Sequence, residues 1–525
     1  MNTHRPRVLI FVVAYEAEST LQRVLNRIPR AICERFDAEV LVIDDSSSDR
    51  TFEIGVRSAG ASSHPITVFY NRTNQGYGGN QKLGYQYALK NGFEFVVLIH
   101  GDGQYPPERI PDLLQPLLDG EADAAFGSRM LTAGAARQGG MPLYKFIGNK
   151  ILTRLQNALL QSNLSEFHSG LRAYRVSALG RLPFQFNTNH FHFDTEIIIQ
   201  LMLAGCRIVE VSIPTYYGDE ICRVNGMLYA KNVMAATLIS RLHRLNILYD
   251  RKFDIEWFGN AHYALKLGYD SSHTAVLGAV SAGARVMDIG CGTGGFDRLL
   301  VDKGCIVTGT DQFPPTDPSI FKNFVVWNEQ VPLEIGSGDY DYVLLLDIIE
   351  HLKQPEIFLD RLRRSLGSLD GRPKIIVTTG NVVFLIVRLQ ALLGNFNYGK
   401  QGILDITHTR LYTFRTLRKL FEQCGFVVEE VRGIPAPFPA ALGLNAFSRL
   451  LVRVNGLLIR LSRGLFSYQI FMRVAPTPTV DALIDDSMAG SITRESEVRR
   501  AQQEEQHRPP AAQNASKTPV LTRTS

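Results

Sequence analysis

The first half of the chain contains four polar clusters whose residue types can handle a phosphorylated nucleotide. The clusters are Asp44–Thr51, Asn74–Asn80, His100–Glu108 and Gly127–Arg129. Adjacent carboxylates can hold a base or a ribose, and an aspartate after an apolar run can hold a divalent cation against a diphosphate. Glycines that open a helix let the backbone approach phosphate closely. Each cluster alone is also compatible with an ordinary capped turn, so the prediction of a nucleotide site depends on all four together.

A second glycine-rich cluster lies in the other half of the chain. It runs from Asp288 through Gly290, Gly292 and Gly294, follows an apolar run and precedes a helix-like segment. The pattern fits a dinucleotide-type loop, although a tight turn without a ligand would give the same spacing. Asp311 ends the next apolar run, 21 residues after Gly290. That is about where a ribose-binding carboxylate belongs.

Both sets of residues follow short apolar runs, which indicates the elements that position them. Strand-like runs alternate with helix-like segments, which favours a parallel sheet covered by helices on both faces. The runs in the first half are Val8–Val13, Glu39–Ile43, Ile66–Tyr70 and Phe95–Ile99. The alternation restarts at Arg285–Ile289. We therefore predict an α/β protein with two doubly wound domains that bind ligands at the carboxyl ends of their strands.

This pattern divides the chain into four predicted regions. Residues 1–225 form the first domain, 226–262 a helical linker, 263–475 the second domain and 476–525 a tail. The tail contains no Phe, Tyr or Trp and is rich in Pro, Gln, Thr, Ser and Ala. Because such a segment buries too little apolar surface to offset its ordering entropy, we predict that it is disordered.

The composition of the 525 residues excludes several classes of protein. Hydrophobic residues make up 45% and charged residues 20%, which is typical of soluble globular proteins and not of disordered, collagen-like or multi-spanning ones. Six cysteines without paired spacing exclude a disulfide scaffold or a zinc-ribbon array and suggest a reducing compartment. A net charge of +5 is too small to predict nucleic acid as the main partner. No apolar stretch of about 18 residues is present, so we expect a cytoplasmic location.

One segment nevertheless favours contact with a membrane surface. In a helix over Leu442–Phe466, the residues Arg449, Arg453, Arg460 and Arg463 fall within an arc of about 80°, opposite a run of leucines. A basic amphipathic helix of this kind either lies on a membrane or packs its apolar side on a domain. The first alternative predicts peripheral association with the inner face of the membrane.

The first four clusters resemble glycosyltransferase family 2, and within it the dolichol-phosphate mannosyltransferase-like branch, over Val8–Asn225. Asp44–Thr51 resembles the family motif D-D-G-S-x-D-x-T, with Ser46 in place of glycine. His100–Glu108 resembles the motif D-x-D-G-Q-x-x-P-E, with His100 in place of the first aspartate. The resemblance implies the GT-A fold and a nucleotide-sugar donor.

The resemblance also implies roles for individual residues. The donor would be bound by Asp44, Asp45, Gly76, Gly78, Gly79, Arg129 and Arg172. Asp102 would bind a divalent metal and thereby serve catalysis. His100 removes one metal carboxylate, and its neutral imidazole suits Mn²⁺ better than Mg²⁺. The alternative for His100 is a histidine at a strand end that only bonds to the backbone.

The acceptor is predicted less narrowly. Members of the branch often use a polyprenyl phosphate, whose oxyanion scarcely needs a general base. A hydroxyl acceptor on a glycan would need one. Glu166 and Glu196 are then the candidates, because the segments around them resemble the branch motifs D-x-T-S-G-F-R and F-D-x-E.

The second half resembles class I S-adenosylmethionine-dependent methyltransferases over Tyr263–Val474. Asp347–Leu352 matches the D-x-x-E-H-L element of a branch that includes ubiquinone-biosynthesis O-methyltransferases. The resemblance implies a Rossmann-like domain that binds S-adenosylmethionine through Asp288, Gly290, Gly292, Gly294, Asp311 and Asp347. His351 and His408 are candidate bases for a hydroxyl acceptor, and a structural role is the alternative for each.

Both resemblances together imply a bifunctional enzyme that transfers a sugar to a lipid-phosphate or glycan acceptor and a methyl group to a glycan or related hydroxyl. One alternative is a single-activity methyltransferase whose first domain binds a sugar nucleotide without turnover. Another is a peripheral membrane scaffold with two degenerate domains. The intact Asp102 and the intact loop Asp288–Gly294 argue against the scaffold.

Overall fold

The computed structural model describes residues 5–62, 64–215, 225–245, 247–255, 265–315, 317–328, 340–366 and 373–506. The chain forms two compact units. The first comprises Met1–Tyr263 with Leu393–Gln401, and the second comprises Ala264–Leu392 with Gly402–Ser525. Each unit is built on a seven-stranded sheet with helices, which confirms the predicted α/β class with two sheets.

The first unit contains seven strands and ten α-helices in its described residues. In chain order they are β1 (Arg7–Ala14), α1 (Leu21–Asn26), α2 (Ile32–Arg35), β2 (Asp37–Asp44), α3 (Thr51–Ala61), β3 (Ile66–Tyr70), α4 (Tyr77–Lys90), β4 (Phe95–His100), α5 (Ile110–Leu118), β5 (Ala124–Ser128), α6 (Ala135–Gln138), α7 (Leu143–Leu160), β6 (Arg172–Arg175), α8 (Val176–Leu179), α9 (Phe193–Leu203), β7 (Ile208–Ser212) and α10 (Gly226–Arg244). Short 3₁₀ turns occur at Pro107–Arg109, Phe184–Phe186 and Arg251–Phe253.

The sheet of the first unit has the strand order β3-β2-β1-β4-β6-β5-β7. Strands β3, β2, β1 and β4 are parallel, and β6 runs antiparallel to both of its neighbours. Because Ala14 pairs with Asp44 and Val13 pairs with His100, two of the predicted polar clusters begin on either side of the end of β1. The sheet therefore brings these clusters to one edge, as expected for parallel strands.

Strand β1 shows why its sequence reads as an uninterrupted apolar run. Val8, Ile10 and Val12 belong to the core on one face of the sheet, and Leu9 and Phe11 belong to the core on the other. A parallel strand covered by helices on both faces has no solvent-facing side, so period-two alternation is absent.

The second unit contains seven strands and nine α-helices in its described residues. They are α11 (Ser272–Ala279), β8 (Arg285–Ile289), α12 (Gly295–Asp302), β9 (Ile306–Asp311), β10 (Asn323–Val326), β11 (Tyr342–Leu346), α13 (Pro355–Ser365), β12 (Lys374–Gly380), α14 (Leu385–Leu392), α15 (Phe414–Gln423), β13 (Phe426–Ile434), α16 (Phe438–Leu442), α17 (Ala446–Leu461), α18 (Arg463–Phe466), β14 (Gln469–Pro476) and α19 (Val480–Gln506), with a 3₁₀ turn at Pro318–Ile320.

The second sheet has the order β10-β9-β8-β11-β12-β14-β13, in which β14 pairs antiparallel with both β12 and β13 and the other pairs are parallel. The glycine-rich loop follows β8, Asp311 ends β9 and Asp347 follows β11. The second set of predicted residues is therefore also gathered at the carboxyl edge of a parallel sheet.

Two predicted regions differ from the structure. Helix α10, expected in a linker, packs against α7 and α9 of the first unit, and His168 Nδ1 lies 2.9 Å from the Tyr229 hydroxyl. The rest of the predicted linker lies partly outside the described residues. The tail, expected to be disordered, contains the exposed helix α19, whose alanines, glutamates and arginines favour helix without a buried face. Residues 507–525 lie outside the described residues.

Candidate active sites

Asp45 organises the loop that follows β3. Its Oδ1 atom accepts hydrogen bonds from the Asn71 amide at 2.7 Å and the Gln75 backbone at 2.8 Å, and its Oδ2 accepts from the Gly76 backbone at 2.9 Å. The side chain is nearly fully buried. Asp45 therefore fixes the shape of this loop, in addition to any contact with a nucleotide.

Asp44 has a free acceptor atom at the end of β2. Its Oδ1 accepts hydrogen bonds from the backbone and hydroxyl of Ser47, whereas its buried Oδ2 has no partner among the described residues. Burial raises the pKa of Asp44, and the hydrogen bonds from Ser47 oppose the shift. Ser46, two residues further on, has a left-handed backbone conformation with φ +66°. Glycine adopts this conformation without strain, which explains why the related motif has glycine at this position.

The glycines at the start of α4 are required by packing. A Cβ atom on Gly76 would lie 2.6 Å from the Asn189 carbonyl oxygen, and one on Gly78 would lie 2.5 Å from that of Thr188. A Cβ atom on Gly79 would lie 2.9 Å from the Cβ of Gln75. The structure therefore explains these glycines by close packing against neighbouring atoms, whereas the sequence prediction explained them by the close approach of a phosphate.

His100 and Asp102 lie next to each other at the end of β4. Nδ1 of His100 is 3.9 Å from Oδ2 of Asp102, and its Nε2 is 3.1 Å from the Tyr77 hydroxyl. The Asp102 side chain is 52% exposed, against 15% for His100. Within the described residues, no cluster of three His, Cys, Asp or Glu side chains could hold a metal ion. A cation here would need ligands from a diphosphate and water, and one imidazole with one carboxylate fits Mn²⁺ better than Mg²⁺.

Tyr77 connects this pair to a buried network that the sequence did not reveal. Its hydroxyl donates to Oδ2 of Asp194 at 2.9 Å, and the Gln81 amide donates to Oδ1 of Asp194 at 3.1 Å. Asp194 also lies 3.5 Å from the Arg172 guanidinium. Asp194 is the aspartate of the segment that resembles F-D-x-E, but only the fold shows what it contacts.

Arg172 lies inside this network, which corrects its predicted contact with phosphate. The residue is 1% exposed. Its three guanidinium nitrogens donate to the carbonyl oxygens of Ser169, Asp194 and Phe167 at 2.7, 3.1 and 3.0 Å. With each nitrogen engaged inside the protein, Arg172 positions the 167–169 segment.

Arg129 and Glu166 form a buried ion pair. The guanidinium and backbone nitrogens of Arg129 both donate to the Glu166 carboxylate, and Asn149 of α7 donates to it at 2.8 Å. Although burial raises the pKa of Glu166, the charge and hydrogen bonds of Arg129 outweigh this effect and lower it. A carboxylate with a lowered pKa and occupied oxygens is a poor general base, which argues against that prediction. Arg129 is likewise held by Glu166 and by the His168 carbonyl at 3.0 Å.

Glu196 is also fully engaged. Its Oε1 lies 2.7 Å from the Lys252 ammonium, and its Oε2 accepts from the Thr188 backbone at 2.7 Å. The residue is 1% exposed. The structure thus gives Glu196 a role in holding the 188 loop, which argues against its predicted role as a base.

The glycine loop after β8 has the geometry of a ligand cradle. Gly290, Gly292 and Gly294 have φ values of +83°, +57° and +79°, which only glycine adopts without strain. A Cβ on Gly292 would meet no atom within 4 Å, so this side of the loop is open. Asp311 accepts a hydrogen bond from the Gly292 backbone at 2.9 Å, which places its carboxylate beside the loop. The arrangement fits a nucleoside cofactor.

Asp288 lies beneath this loop, and its carboxyl group interacts electrostatically with that of Asp297 of α12. Both residues are at most 2% exposed. Oδ1 of Asp288 and both carboxyl oxygens of Asp297 have no hydrogen-bond partner among the described residues. Burial raises the pKa of Asp297 to about 7, and burial with the charge of Asp297 raises that of Asp288 well above its usual value. Asp297 was not predicted, since one carboxyl in a helix gives no sequence signal of a partner.

Asp347 occupies an unusual backbone conformation, with φ +51°. Its carboxylate accepts hydrogen bonds from the Thr378 hydroxyl at 2.8 Å and the Gln469 amide at 2.8 Å. Asp347 thus connects β11 to β12 and β14. Its contact with a cofactor stays a prediction.

His351 and His408 face each other, with ring centroids 4.8 Å apart. Nδ1 of His408 donates to the Ile403 carbonyl at 3.0 Å, which leaves Nε2 as the basic nitrogen. Burial lowers the pKa of His408, so its ring is neutral at pH 7. Glu350, which precedes His351, is buried, and the sequence analysis did not predict a role for it. Burial and the charge of Asp347 raise its pKa to about 8.

Comparisons with known proteins match the two units separately. The family model for glycosyl transferase family 2 matches residues 9–182, and a methyltransferase domain model matches residues 263–431. Undecaprenyl-phosphate mannosyltransferase from Micrococcus luteus is 28% identical over 234 residues, which cover 44% of this chain and 93% of that protein. Polyprenol monophosphomannose synthase from Mycolicibacterium smegmatis is 27% identical and covers 40% and 78%.

A solved structure, glucosyl-3-phosphoglycerate synthase from Mycobacterium tuberculosis, aligns over 45% of this chain and 78% of that one, with 19% identity and a TM-score of 0.34. In the described part of the chain, no helix is both long and apolar enough to span a membrane. A methyltransferase domain implies S-adenosylmethionine as methyl donor. The chain therefore contains a segment that matches glycosyl transferase family 2, followed by a segment that matches a methyltransferase domain, and both matches are to classes of enzyme.

Proposed function

We propose that the first unit transfers a sugar from a nucleotide-sugar donor to a lipid phosphate. The observation that carries this proposal is an exposed apolar stripe on α7, formed by Leu143, Tyr144, Ile147, Ile151 and Leu155, which are 46–73% exposed. The helix contains no acidic residue and three basic ones, Lys145, Lys150 and Arg154. Such a face suits an anionic amphiphile.

The opposite side of α7 reaches the site. Asn149 donates to Glu166, which holds Arg129 after β5. A lipid chain on the outer face of α7 would therefore have its phosphate near the carboxyl edge of the sheet. The relatives named for undecaprenyl and polyprenol phosphates support the same acceptor class.

The engaged carboxylates agree with a phosphate acceptor. Both predicted bases, Glu166 and Glu196, are buried and ion-paired. A phosphate oxyanion attacks the anomeric carbon without losing a proton, so these carboxylates can serve as fixed structure. In this proposal Asp44 and Asp45 hold the nucleoside, and His100 and Asp102 would hold Mn²⁺, which neutralises the leaving diphosphate when bound.

We propose that the second unit methylates a hydroxyl on a glycan or related acceptor. Asp311 would accept hydrogen bonds from the two ribose hydroxyls of S-adenosylmethionine, and the open side of Gly292 would admit the cofactor to the backbone. Alignment of the acceptor with the methyl group supplies most of the rate. His408, neutral and oriented by Ile403, would take the hydroxyl proton through Nε2.

The test of the sugar transfer uses a polyprenyl phosphate in detergent and a short, water-soluble phosphate as alternative acceptor. Replacing Ile147 and Ile151 by Glu removes two exposed apolar contacts, and each is worth about 1.5 kcal/mol or more if buried by lipid. We expect KM for the polyprenyl phosphate to rise about tenfold or more, with no change for the soluble acceptor. Val56→Glu, on the exposed side of α3, is the control.

Two outcomes would contradict the proposal. Equal KM values for the native and double-variant proteins would show that α7 does not meet the lipid. If the native protein binds nucleotide sugars in calorimetry but transfers sugar to neither acceptor with Mn²⁺ or Mg²⁺, the first unit binds its donor without turnover. Asp102→Asn, expected to abolish transfer while leaving S-adenosylmethionine affinity unchanged, tests the metal assignment in the same assay.

A further inference from the structure

Helix α17 of the second unit leaves its apolar side uncovered. Its inner face, Ser448, Val452 and Asn455, is buried, and Asn455 bonds to the Ala436 backbone nitrogen at 2.8 Å and the Phe466 carbonyl at 2.9 Å. Another side of the helix carries the large apolar residues and is exposed. The exposed fractions are 62% for Phe447, 53% for Leu450, 44% for Val454, 59% for Leu457 and 80% for Leu461. Packing on the domain therefore uses the stripe of Ser448, Val452 and Asn455, and the exposed apolar stripe needs another explanation.

A pocket of about 620 Å³ lies beside this stripe. Its lining includes Arg432, Arg453, Arg460, Arg463, Asp270 and Leu457. Four arginines face one aspartate, so the lining is strongly positive. Leu457 belongs both to the pocket and to the exposed stripe.

The arginines of the pocket differ in how they are held. Arg432 lies over the Phe471 ring at 4.2 Å and donates to the Ala275 carbonyl at 3.1 Å, and Arg463 lies 5.2 Å from the Phe414 ring centre. Nε of Arg432 also lies 3.7 Å from Oε1 of Glu430. No ion pair of Arg453 or Arg460 is found in the described part of the chain. Helices α17 and α18 contain no Asp or Glu that could neutralise them. Two fixed and two unneutralised guanidinium groups are suited to bidentate bonds with phosphate oxygens.

The backbone around the pocket is fixed to the sheet. The amide of Asn381, which follows β12, donates to the Gly464 carbonyl at 2.9 Å and the Ser467 carbonyl at 2.8 Å. The segment that carries Arg463 is thus attached beside Gln469, which bonds to Asp347. This rigidity distinguishes the pocket from a flexible basic surface.

We propose that this pocket binds the phosphate group of a membrane lipid and docks the second unit on an anionic membrane. Charge complementarity selects a phosphate, and the adjoining stripe of Phe447, Leu450, Val454, Leu457 and Leu461 provides the surface for the attached hydrocarbon. The inference is independent of both proposed reactions, because none of these residues takes part in either one.

The experiment measures binding of the full chain to vesicles of phosphatidylcholine, with or without phosphatidate, by co-flotation. The pocket variant is Arg453→Gln with Arg460→Gln. The matched control, Arg415→Gln with Arg449→Gln, removes the same charge from exposed positions outside the pocket, one of them on the same helix. We expect the pocket variant to bind phosphatidate vesicles at least ten times more weakly than the control variant. Unchanged thermal unfolding shows that both variants are folded.

Separate results would overturn the proposal. Equal weakening of the two variants would mean that the arginines act only as diffuse charge. Absence of native binding to phosphatidate vesicles would exclude the lipid. If inorganic phosphate stabilises the native protein but not the pocket variant, while vesicles bind neither, the pocket serves a soluble phosphate instead of a membrane.

Discussion

The pair of buried carboxyl groups beneath the glycine loop predicts an unusual dependence of stability on pH. Asp288 and Asp297 are both almost fully buried, and burial raises the pKa of each carboxyl group, so the native state retains protons that the unfolded chain releases. Replacing Asp297 by Asn keeps the shape and supplies an amide donor that does not titrate. The variant therefore removes the titration of Asp297 alone, while the burial of Asp288 still favours its protonated form.

The magnitude follows from the raised pKa. Burial raises the pKa of Asp297 to about 7, whereas an unfolded aspartate titrates near 3.9. Between these values the native protein keeps a proton that the unfolded chain has released, so stability falls as pH rises. At about 1.4 kcal/mol per pKa unit, Asp297 alone should contribute a loss on the order of 4 kcal/mol between about pH 4 and 7.

The assay uses Trp327, which is 7% exposed in the core of the second unit. Trp257 is the other of two tryptophans, so Trp257→Phe leaves Trp327 as the reporter. Urea unfolding without cofactor measures how the unfolding free energy of the native protein and of the variant changes with pH. Between about pH 5 and 7, the slope of Asp297→Asn should differ from the native slope by roughly 1.4 kcal/mol per pH unit, because the fall that Asp297 causes is lost.

The control is Asp302→Asn, which changes an exposed aspartate at the end of the same helix and should leave the slope unaltered. Parallel pH profiles for the native protein and Asp297→Asn would refute the raised pKa of Asp297. A profile that falls more steeply with pH in Asp297→Asn than in the native protein would refute the sign of the predicted effect.

Two further predictions concern one residue or pair in each unit. Asp311→Ala removes a charged acceptor, and hydrogen bonds to charged groups contribute about 1.5–3 kcal/mol. Calorimetry should therefore show affinity for S-adenosylmethionine reduced roughly 10- to 150-fold, and an unaltered Kd would mean that the ribose carboxylate lies elsewhere. Glu166→Gln leaves the buried Arg129 uncompensated and should cost about 3–5 kcal/mol of unfolding free energy. Glu108→Gln, which breaks the exposed pair with Arg27, should cost less than about 1 kcal/mol in the same unfolding assay, and similar values for both would contradict the buried pairing.

The sequence predicted the strands and the edge of each sheet well because these depend on local patterns. The predicted strand Val8–Val13 is only one residue shorter at each end than β1. The agreement is close because a strand buried on both faces must be apolar throughout. Polar residues after such runs reach the carboxyl edge by topology alone, as Asp44 and His100 do on either side of β1.

Contacts between distant parts of the chain could not be predicted in this way. Arg172 meets Asp194, and Asp194 meets Tyr77, across 22 and 117 residues. Nothing in a motif distinguishes an arginine that is fixed inside the protein from one that faces a ligand. The same limit applies to Glu166 and Glu196, which look like free acids in sequence but are ion-paired in the fold.

The basic segment has a topological consequence of its own. Strands β13 and β14 pair along their length, and Ile434, the last residue of β13, pairs with Gln469, the first of β14. Residues 435–468 therefore form the connection between two paired strands, and this connection contains α16, α17 and α18. The sheet holds its two ends about 5 Å apart. Its length and content can change during evolution without altering a single strand register. Membrane docking could thus be gained or lost by exchanging one hairpin connection, while the methyltransferase sheet stays the same.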